Sequence, residues 1–223
     1  MSEPSAGQLA VTLFAQRDDD RTVPWLSLVS RYLQQQLDLR HILPVGEPAD
    51  GVGCGTGPGA ADVAILLGNT AALDGRVLEH IEQQCAGGAG VVALGATSAQ
   101  RHADRRFQWE VLGVELTRTL DHPNVRVELD AAARDHPVVT QLGWSVSRAA
   151  PAAAPSRLAD DAAVLLVARR GDRREPVAWV RRHGLGRVFS TTLGWGNDSG
   201  RTAFLRLVAG AVAWTAGREL PAD

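Results

Sequence analysis

The first half of the chain alternates short apolar runs with segments whose apolar residues recur at helical spacing. The runs predict strands, and the helical spacing predicts helices between them. Strands are predicted at Leu9–Phe14, His41–Val45, Asp62–Leu67 and Gly90–Leu94, and helices at Val23–Leu37 and Gly75–Cys85. Strands that alternate with helices favour an α/β fold with a parallel sheet.

From residue 107 onward the pattern is less regular. Three of the predicted strands in this half are joined by turns at Arg170–Arg174 and His183–Gly186, and we expect part of their pairing to be antiparallel. A last helix is predicted over Arg201–Ala216, with Gly217 ending it, and Ala149–Pro155 is predicted to be a loop. The strands are predicted at Val125–Leu129, Ala163–Ala168, Pro176–Arg182 and Arg187–Leu193.

Composition and charge narrow the classes of function. The length of 223 residues, with 45% hydrophobic and 22% charged residues, is typical of one globular domain. The net charge of -2 lacks the basic excess of nucleic-acid binders, so we expect no nucleic-acid partner. All 23 basic residues are Arg. The absence of Lys excludes a Walker-type phosphate loop and a Lys Schiff base.

The chain is also expected to be cytoplasmic. Its polar first residues, 1–7, predict a disordered N-terminus without a signal peptide. No apolar run reaches the roughly 18 residues of a membrane span, so we expect no membrane partner. Two cysteines, Cys54 and Cys85, are too few for a disulfide framework or a Cys-based zinc site. A single domain is expected over residues 8–218, followed by a tail at 219–223.

Several motifs in the last third of the chain occur in a distinctive order. They are Asp135-His136-Pro137-Val138-Val139, Glu175-Pro176-Val177-Ala178-Trp179-Val180, Gly186-Arg187-Val188-Phe189-Ser190-Thr191-Thr192-Leu193-Gly194 and Ala213-Trp214-x-Ala216-Gly217. In this order the set resembles the ThuA-like (trehalose utilisation) family of the class I glutamine amidotransferase-like superfamily. The resemblance implies a flavodoxin-like fold, with a mostly parallel central sheet and helices on both faces.

The sequence departs from the superfamily at positions that matter for chemistry. An amidotransferase carries its Cys nucleophile on the turn after a strand, but the turn after Leu94 contains none. ThuA-like proteins often carry His near the first turn and after Thr-Leu-Gly, where this chain has Asp18 and Trp195. We therefore expect no glutaminase activity and no cofactor. A bound divalent metal remains an alternative.

Candidate site residues follow the predicted strands, where parallel sheets bind ligands. The proposed catalytic residues are Asp18, Asp19, Asp20 and Arg21, because neighbouring carboxylates raise one another's pKa and suit acid-base chemistry. A solvated acidic turn is the alternative. The residues proposed to bind a substrate are also common in ordinary turns. They are Asn69, Thr97, Ser98, Gln100, Arg101, His102, Trp195, Asn197 and Asp198.

Two further features have competing interpretations. His136 matches the family, and we favour a structural role because the following proline restricts its backbone. The pairs Arg169-Arg170, Arg173-Arg174 and Arg181-Arg182 form a basic patch that could meet an acidic partner. A solvated hairpin is the favoured interpretation, because nearby acidic residues dilute the patch.

These observations leave two functions open. The first is an enzyme, of isomerase or lyase type, that acts on a small polyhydroxylated substrate such as a sugar or keto sugar by acid-base chemistry. A tailoring step in secondary metabolism is one variant of it. The second is a non-catalytic ligand-binding or assembly module, with a homodimer as one form.

Overall fold

A computed structural model describes residues 8–15, 22–45, 61–68, 73–95, 102–119, 125–142, 147–149, 153–193 and 201–218. These residues form a mixed α/β fold with one large and one small β-sheet. Their helices and strands are β1 (Leu9–Ala15), α1 (Thr22–Gln36), β2 (Leu39–Val45), β3 (Val63–Leu67), α2 (Gly75–Ala86), β4 (Gly90–Leu94), α3 (His102–Phe107), β5 (Val114–Thr119), β6 (Val125–Leu129), β7 (Ser147–Ala149), β8 (Ala153–Leu158), β9 (Ala163–Arg170), β10 (Arg173–His183), β11 (Gly186–Thr191) and α4 (Arg201–Thr215).

The large sheet has the strand order β2-β1-β3-β4-β11-β10-β9-β6-β7. The first five strands are parallel to one another, and the remaining neighbours pair antiparallel. The expectation of a mostly parallel sheet is therefore met in one half only. The reason is local: two-residue turns join β9 to β10 and β10 to β11, and such turns can only reverse the chain.

Helices cover both faces of the parallel half, as the sequence predicts. Side chains alternate between the faces along each strand, so Leu13 and Ile65 lie in one core and Phe14 and Leu66 in the other. Helices α1 and α4 pack on the first face, and α2 packs with α3 on the second. Strands β3 and β4 are consequently buried along their whole length.

The region between β4 and β9 contains elements that the sequence analysis did not predict. Helix α3 continues into a π-helical turn, Gln108–Leu112, and β5 and β8 form the small antiparallel sheet. Ala149–Pro155 is not simply a loop, because its two ends belong to β7 and β8. Pro155 is tolerated within β8 because the register shifts beside its partner Leu116 and each strand of a two-stranded sheet is an edge.

Arg181 is not part of a solvated patch. Its Nη1 donates to the carbonyl oxygens of Trp109 and Glu110 at 3.1 Å each, and its Nη2 lies 3.2 Å from an oxygen of Asp161. On the same strand face, Trp179 Nε1 donates to Leu112 O at 2.9 Å. Side chains of β10 thus donate hydrogen bonds to carbonyl oxygens of the π-helical turn that have no partner within the helix.

Candidate functional site

The ends of four parallel strands lie in one row across the sheet. Ala15 of β1 pairs with Leu67 of β3, Leu67 pairs with Leu94 of β4, and Leu94 pairs with Thr191 of β11. Beyond this row, Gly68 N donates to Leu94 O at 2.8 Å. We call this end of the strands the carboxyl edge and the opposite end the amino edge. In open α/β sheets, ligands bind outside the carboxyl ends of the strands.

Nearly all predicted site residues follow these strand ends in the chain but lie outside the described residues. His102 is the first residue of α3, and only its backbone is described. The predicted residues outside the described ranges are Asp18, Asp19, Asp20, Arg21, Asn69, Thr97, Ser98, Gln100, Arg101, Trp195, Asn197 and Asp198.

Two helices begin at the carboxyl edge and contact each other there. Trp25, in the first turn of α1, packs edge-on against Phe204, in the first turn of α4, with ring centroids 5.9 Å apart. Helix α1 follows β1 and helix α4 follows β11, so both helices begin at the carboxyl edge. The positive ends of their dipoles therefore lie at this edge. Negative charge near this edge is stabilised by that arrangement.

The end of β11 carries three buried hydroxyl groups that differ in their bonding. Thr191 Oγ1 donates to Val177 O at 2.7 Å and accepts from Leu193 N at 3.1 Å. Ser190 Oγ and Thr192 Oγ1 are buried, and neither has a hydrogen-bond partner in the described part of the chain. Buried polar groups without a partner are rare and concentrate at functional sites.

Sequence reasoning missed Ser190 and Thr192. The available signal was a run of three hydroxyl residues inside a segment predicted to be a buried strand. Such a run is unusual, because a buried hydroxyl requires a partner.

Comparison with known proteins identifies the family. The model of the ThuA family, described as trehalose utilisation, matches residues 59–215. This chain belongs to the ThuA family. No curated protein matches the chain.

Solved structures share the fold of this ThuA family member at low identity. A ThuA-like protein from Bacteroides uniformis has a TM-score of 0.68 at 15% identity, over 98% of this chain and 96% of that chain. One from Parabacteroides merdae has a TM-score of 0.65 at 16% identity, over 97% and 93%. A β-galactosidase from Rahnella sp. R3 has a TM-score of 0.60 at 15% identity, over 95% of this chain and 32% of that chain.

His136 lies at the amino edge, away from the row of strand ends. Its ring packs on Trp214, near the end of α4, with centroids 5.0 Å apart. The backbone N–H of Val138 donates to His136 Nδ1 at 3.3 Å. Burial, and secondarily the charge of Arg187, lowers the pKa of His136 below its ordinary value. Its surroundings are those of a packed, neutral side chain of the amino edge.

Cys85 does not have the properties of a nucleophile. It lies near the end of α2, and its Sγ is 3.9 Å from His183 O at the amino edge. Burial raises the pKa of the Cys85 thiol to about 12, which the nearby charge of Arg181 only partly opposes. At neutral pH the thiol is therefore protonated and unreactive. Cys54 lies outside the described residues.

Two further features concern metal binding and membrane insertion. They contain no group of three or more His, Cys, Asp or Glu side chains that could hold a metal ion. No helix among them is long and apolar enough to cross a membrane.

Proposed function

We propose that this ThuA family member binds a small polyhydroxylated compound, a sugar or keto sugar, at the carboxyl edge and transforms it by acid-base chemistry. The observation that carries the proposal is the row formed by the ends of β1, β3, β4 and β11. Nearly every candidate residue follows one of these strand ends in the chain. The family's description as trehalose utilisation supports the carbohydrate class.

The order of the parallel strands supports a flavodoxin-like assignment of this half. The order β2-β1-β3-β4-β11 corresponds to the 2-1-3-4-5 order of flavodoxin-like sheets, whose ligands bind between the first and third strands. Asp18, Asp19, Asp20 and Arg21 follow β1, and Asn69 follows β3. The proposed catalytic residues therefore follow one of the two strands that flank this crevice, and the proposed substrate-binding residue Asn69 follows the other.

The proposed roles follow from the chemistry of the side chains. A carboxylate of Asp18, Asp19 or Asp20 moves a proton at the carbon next to a carbonyl. Arg21 or Arg101 stabilises the negative charge that develops on the carbonyl oxygen. Trp195 forms an apolar wall for the sugar ring, and Asn197 and Asp198 bind hydroxyl groups.

The test begins with thermal unfolding in a panel of sugars and keto sugars, each with and without zinc or manganese. A ligand at 100 times its Kd adds about 2.7 kcal/mol of stability. That stability corresponds to roughly 5–10 °C in a domain of this size. Asp18→Asn and Trp195→Ala should abolish the shift. The control Asp160→Asn, at an exposed position in a turn, should keep it.

Turnover is tested with the sugar that gives the shift. Proton transfer next to a carbonyl replaces that hydrogen with deuterium in D₂O, which NMR detects directly. We expect exchange with the wild-type protein and none with Asp18→Asn. A panel without any shift, or a shift that Asp18→Asn and Trp195→Ala leave unchanged, would refute binding at this edge.

A second candidate function is a non-catalytic ligand-binding or assembly module. It is favoured by Asp18 and Trp195 at positions where ThuA-like proteins often have His. Under this alternative a sugar shifts the unfolding temperature but no deuterium is incorporated. Sedimentation of the same samples tests a homodimer.

A further inference from the structure

Three arginines form a row across the antiparallel half of the large sheet. Arg126 on β6 lies opposite Arg169 on β9, and Arg169 lies opposite Arg174 on β10. Residues paired in this way share one face of a sheet, with strands about 4.8 Å apart. Their side chains are 59%, 53% and 48% exposed. Three guanidinium groups therefore stand in solvent along a line of roughly 10 Å.

Such a row is unfavourable by itself. Like charges directly opposite each other destabilise a sheet. The register also places Arg148 of β7 opposite Arg126, so the positions of four arginines align across four strands. This pattern calls for negative charge on the same face.

Among the described residues, two carboxylates supply that negative charge. Glu128 lies with one oxygen 2.9 Å from Arg126 Nε and the other 3.3 Å from Arg169 Nε. Asp130 lies 3.2 Å from Arg174 Nη2. Three arginine side chains thus face two carboxylates, and the row keeps a positive excess.

Glu128 holds two guanidinium groups in place without consuming their outer donors. Its contacts with Arg126 and Arg169 are made at the Nε atoms, and no hydrogen bond from the terminal nitrogens of either arginine is found among the described residues. The Glu128 side chain is only 23% exposed, so it lies beneath the more exposed arginines. The terminal N–H donors of these two neighbouring guanidinium groups are thereby left for a ligand.

We propose that Arg126, Arg169 and Arg174 form a binding site for a small phosphate-bearing ligand. Guanidinium groups bind phosphate through two parallel hydrogen bonds, and adjacent groups suit an anion of charge two or more. The short row argues against an extended nucleic acid, whose backbone needs a long basic surface. The net charge of -2 argues the same.

The arginine row lies on other strands than the row of parallel strand ends. Arg174 precedes Ala178 by four residues, and Ala178 pairs with Thr191 at the end of β11. The spacing along a strand places Arg174 about 13 Å beyond that strand end. Variants of the arginine row replace none of the residues proposed for the carbohydrate site.

The test is calorimetric titration of the full chain with inorganic pyrophosphate at constant ionic strength. Arg126→Gln combined with Arg169→Gln should weaken binding at least tenfold. Arg206→Gln is the matched control, because it removes an exposed positive charge from α4. It should leave the Kd within twofold. Equal binding by the double variant and the control would overturn the proposal, as would no binding by the wild-type protein.

Two further arms keep the proposal falsifiable if the double variant folds poorly. Arg174→Gln leaves the Glu128 contacts intact and should still weaken pyrophosphate binding several-fold. Unchanged binding would contradict a site that includes Arg174. Titration with a sugar monophosphate separates a phosphate ester from free phosphate as the source. A single-stranded oligonucleotide that binds more tightly than both would overturn the small-ligand assignment.

Discussion

The two edges of the parallel strands satisfy their polar groups in different ways. At the amino edge, Arg187 Nη1 donates to Trp214 O at 2.8 Å, and Thr215 Oγ1 donates to Ala211 O at 2.8 Å. At the carboxyl edge, the buried hydroxyls of Ser190 and Thr192 have no partner in the described structure. The polar groups named at the amino edge are paired, whereas two hydroxyls at the carboxyl edge have no partner among the described residues.

Paired and unpaired hydroxyl groups differ in what they contribute to stability. Each unpaired buried hydroxyl costs about 1–3 kcal/mol. The amino edge is also closely packed, with the ring of His136 on Trp214. We expect substitutions at paired or closely packed positions to lower stability, and we expect removal of an unpaired hydroxyl not to lower it.

The largest effect is expected from Gly186→Ala at the amino edge. A Cβ at this position would overlap the backbone carbonyl oxygens of Cys85 and Ala89, which cannot move aside cheaply. We expect the free energy of unfolding, measured with urea, to fall by about 3 kcal/mol. Gly171→Ala is the control: its Cβ would meet nothing within 4 Å, so only its φ of +60° adds a cost. That cost is roughly 1 kcal/mol. Equal losses for both variants would refute close packing at this edge.

Thr191→Val should give the next largest effect. It removes a hydroxyl that donates to Val177 O and accepts from Leu193 N, and it leaves both backbone groups buried. We expect a loss of about 1–2 kcal/mol in urea unfolding. A stability equal to that of the wild-type protein would show that the two bonds contribute nothing.

Thr192→Val, one residue further on, should have the opposite sign. Its hydroxyl has no partner among the described residues, so a methyl group of the same shape removes a penalty. We expect unchanged stability or a gain of up to about 1 kcal/mol. If Thr192→Val loses as much stability as Thr191→Val, the Thr192 hydroxyl is paired and the contrast with Thr191 fails.

The smallest effect is the pH dependence contributed by His136. Its pKa is lowered in the folded protein, so the unfolded chain binds more protons as the pH falls below 6.5. His136 therefore contributes stability at neutral pH that is lost toward acidic pH. His136→Gln should flatten the decline of the free energy of unfolding between pH 7.5 and 5. An unchanged decline in His136→Gln would contradict a lowered pKa at this position.

Strands β3 and β4 were predictable because their burial on both faces leaves a local signal. Gly90–Leu94 was predicted with the bounds that the structure shows, and so was Val125–Leu129 in the antiparallel half. The strand β8 was missed because Ala and Pro are poor strand formers, and its pairing with β5 is not visible locally.

The candidate site was predictable only as a set of polar residues that follow strands. The register that brings Ala15, Leu67, Leu94 and Thr191 into one row depends on pairing between distant segments. The same holds for the arginine row, because Arg126 is far from the hairpin in sequence. The placement of the candidate residues themselves stays a prediction.

The π-helical turn makes the length of one segment as important as its composition. This turn contains one residue more than an α-helical turn, and Trp179, Arg181 and His183 each contact one or more of its carbonyl oxygens. Deleting one residue would rotate the following chain by about 100° and turn those carbonyls away from all three side chains. The number of residues in this segment is therefore constrained as well as their identity.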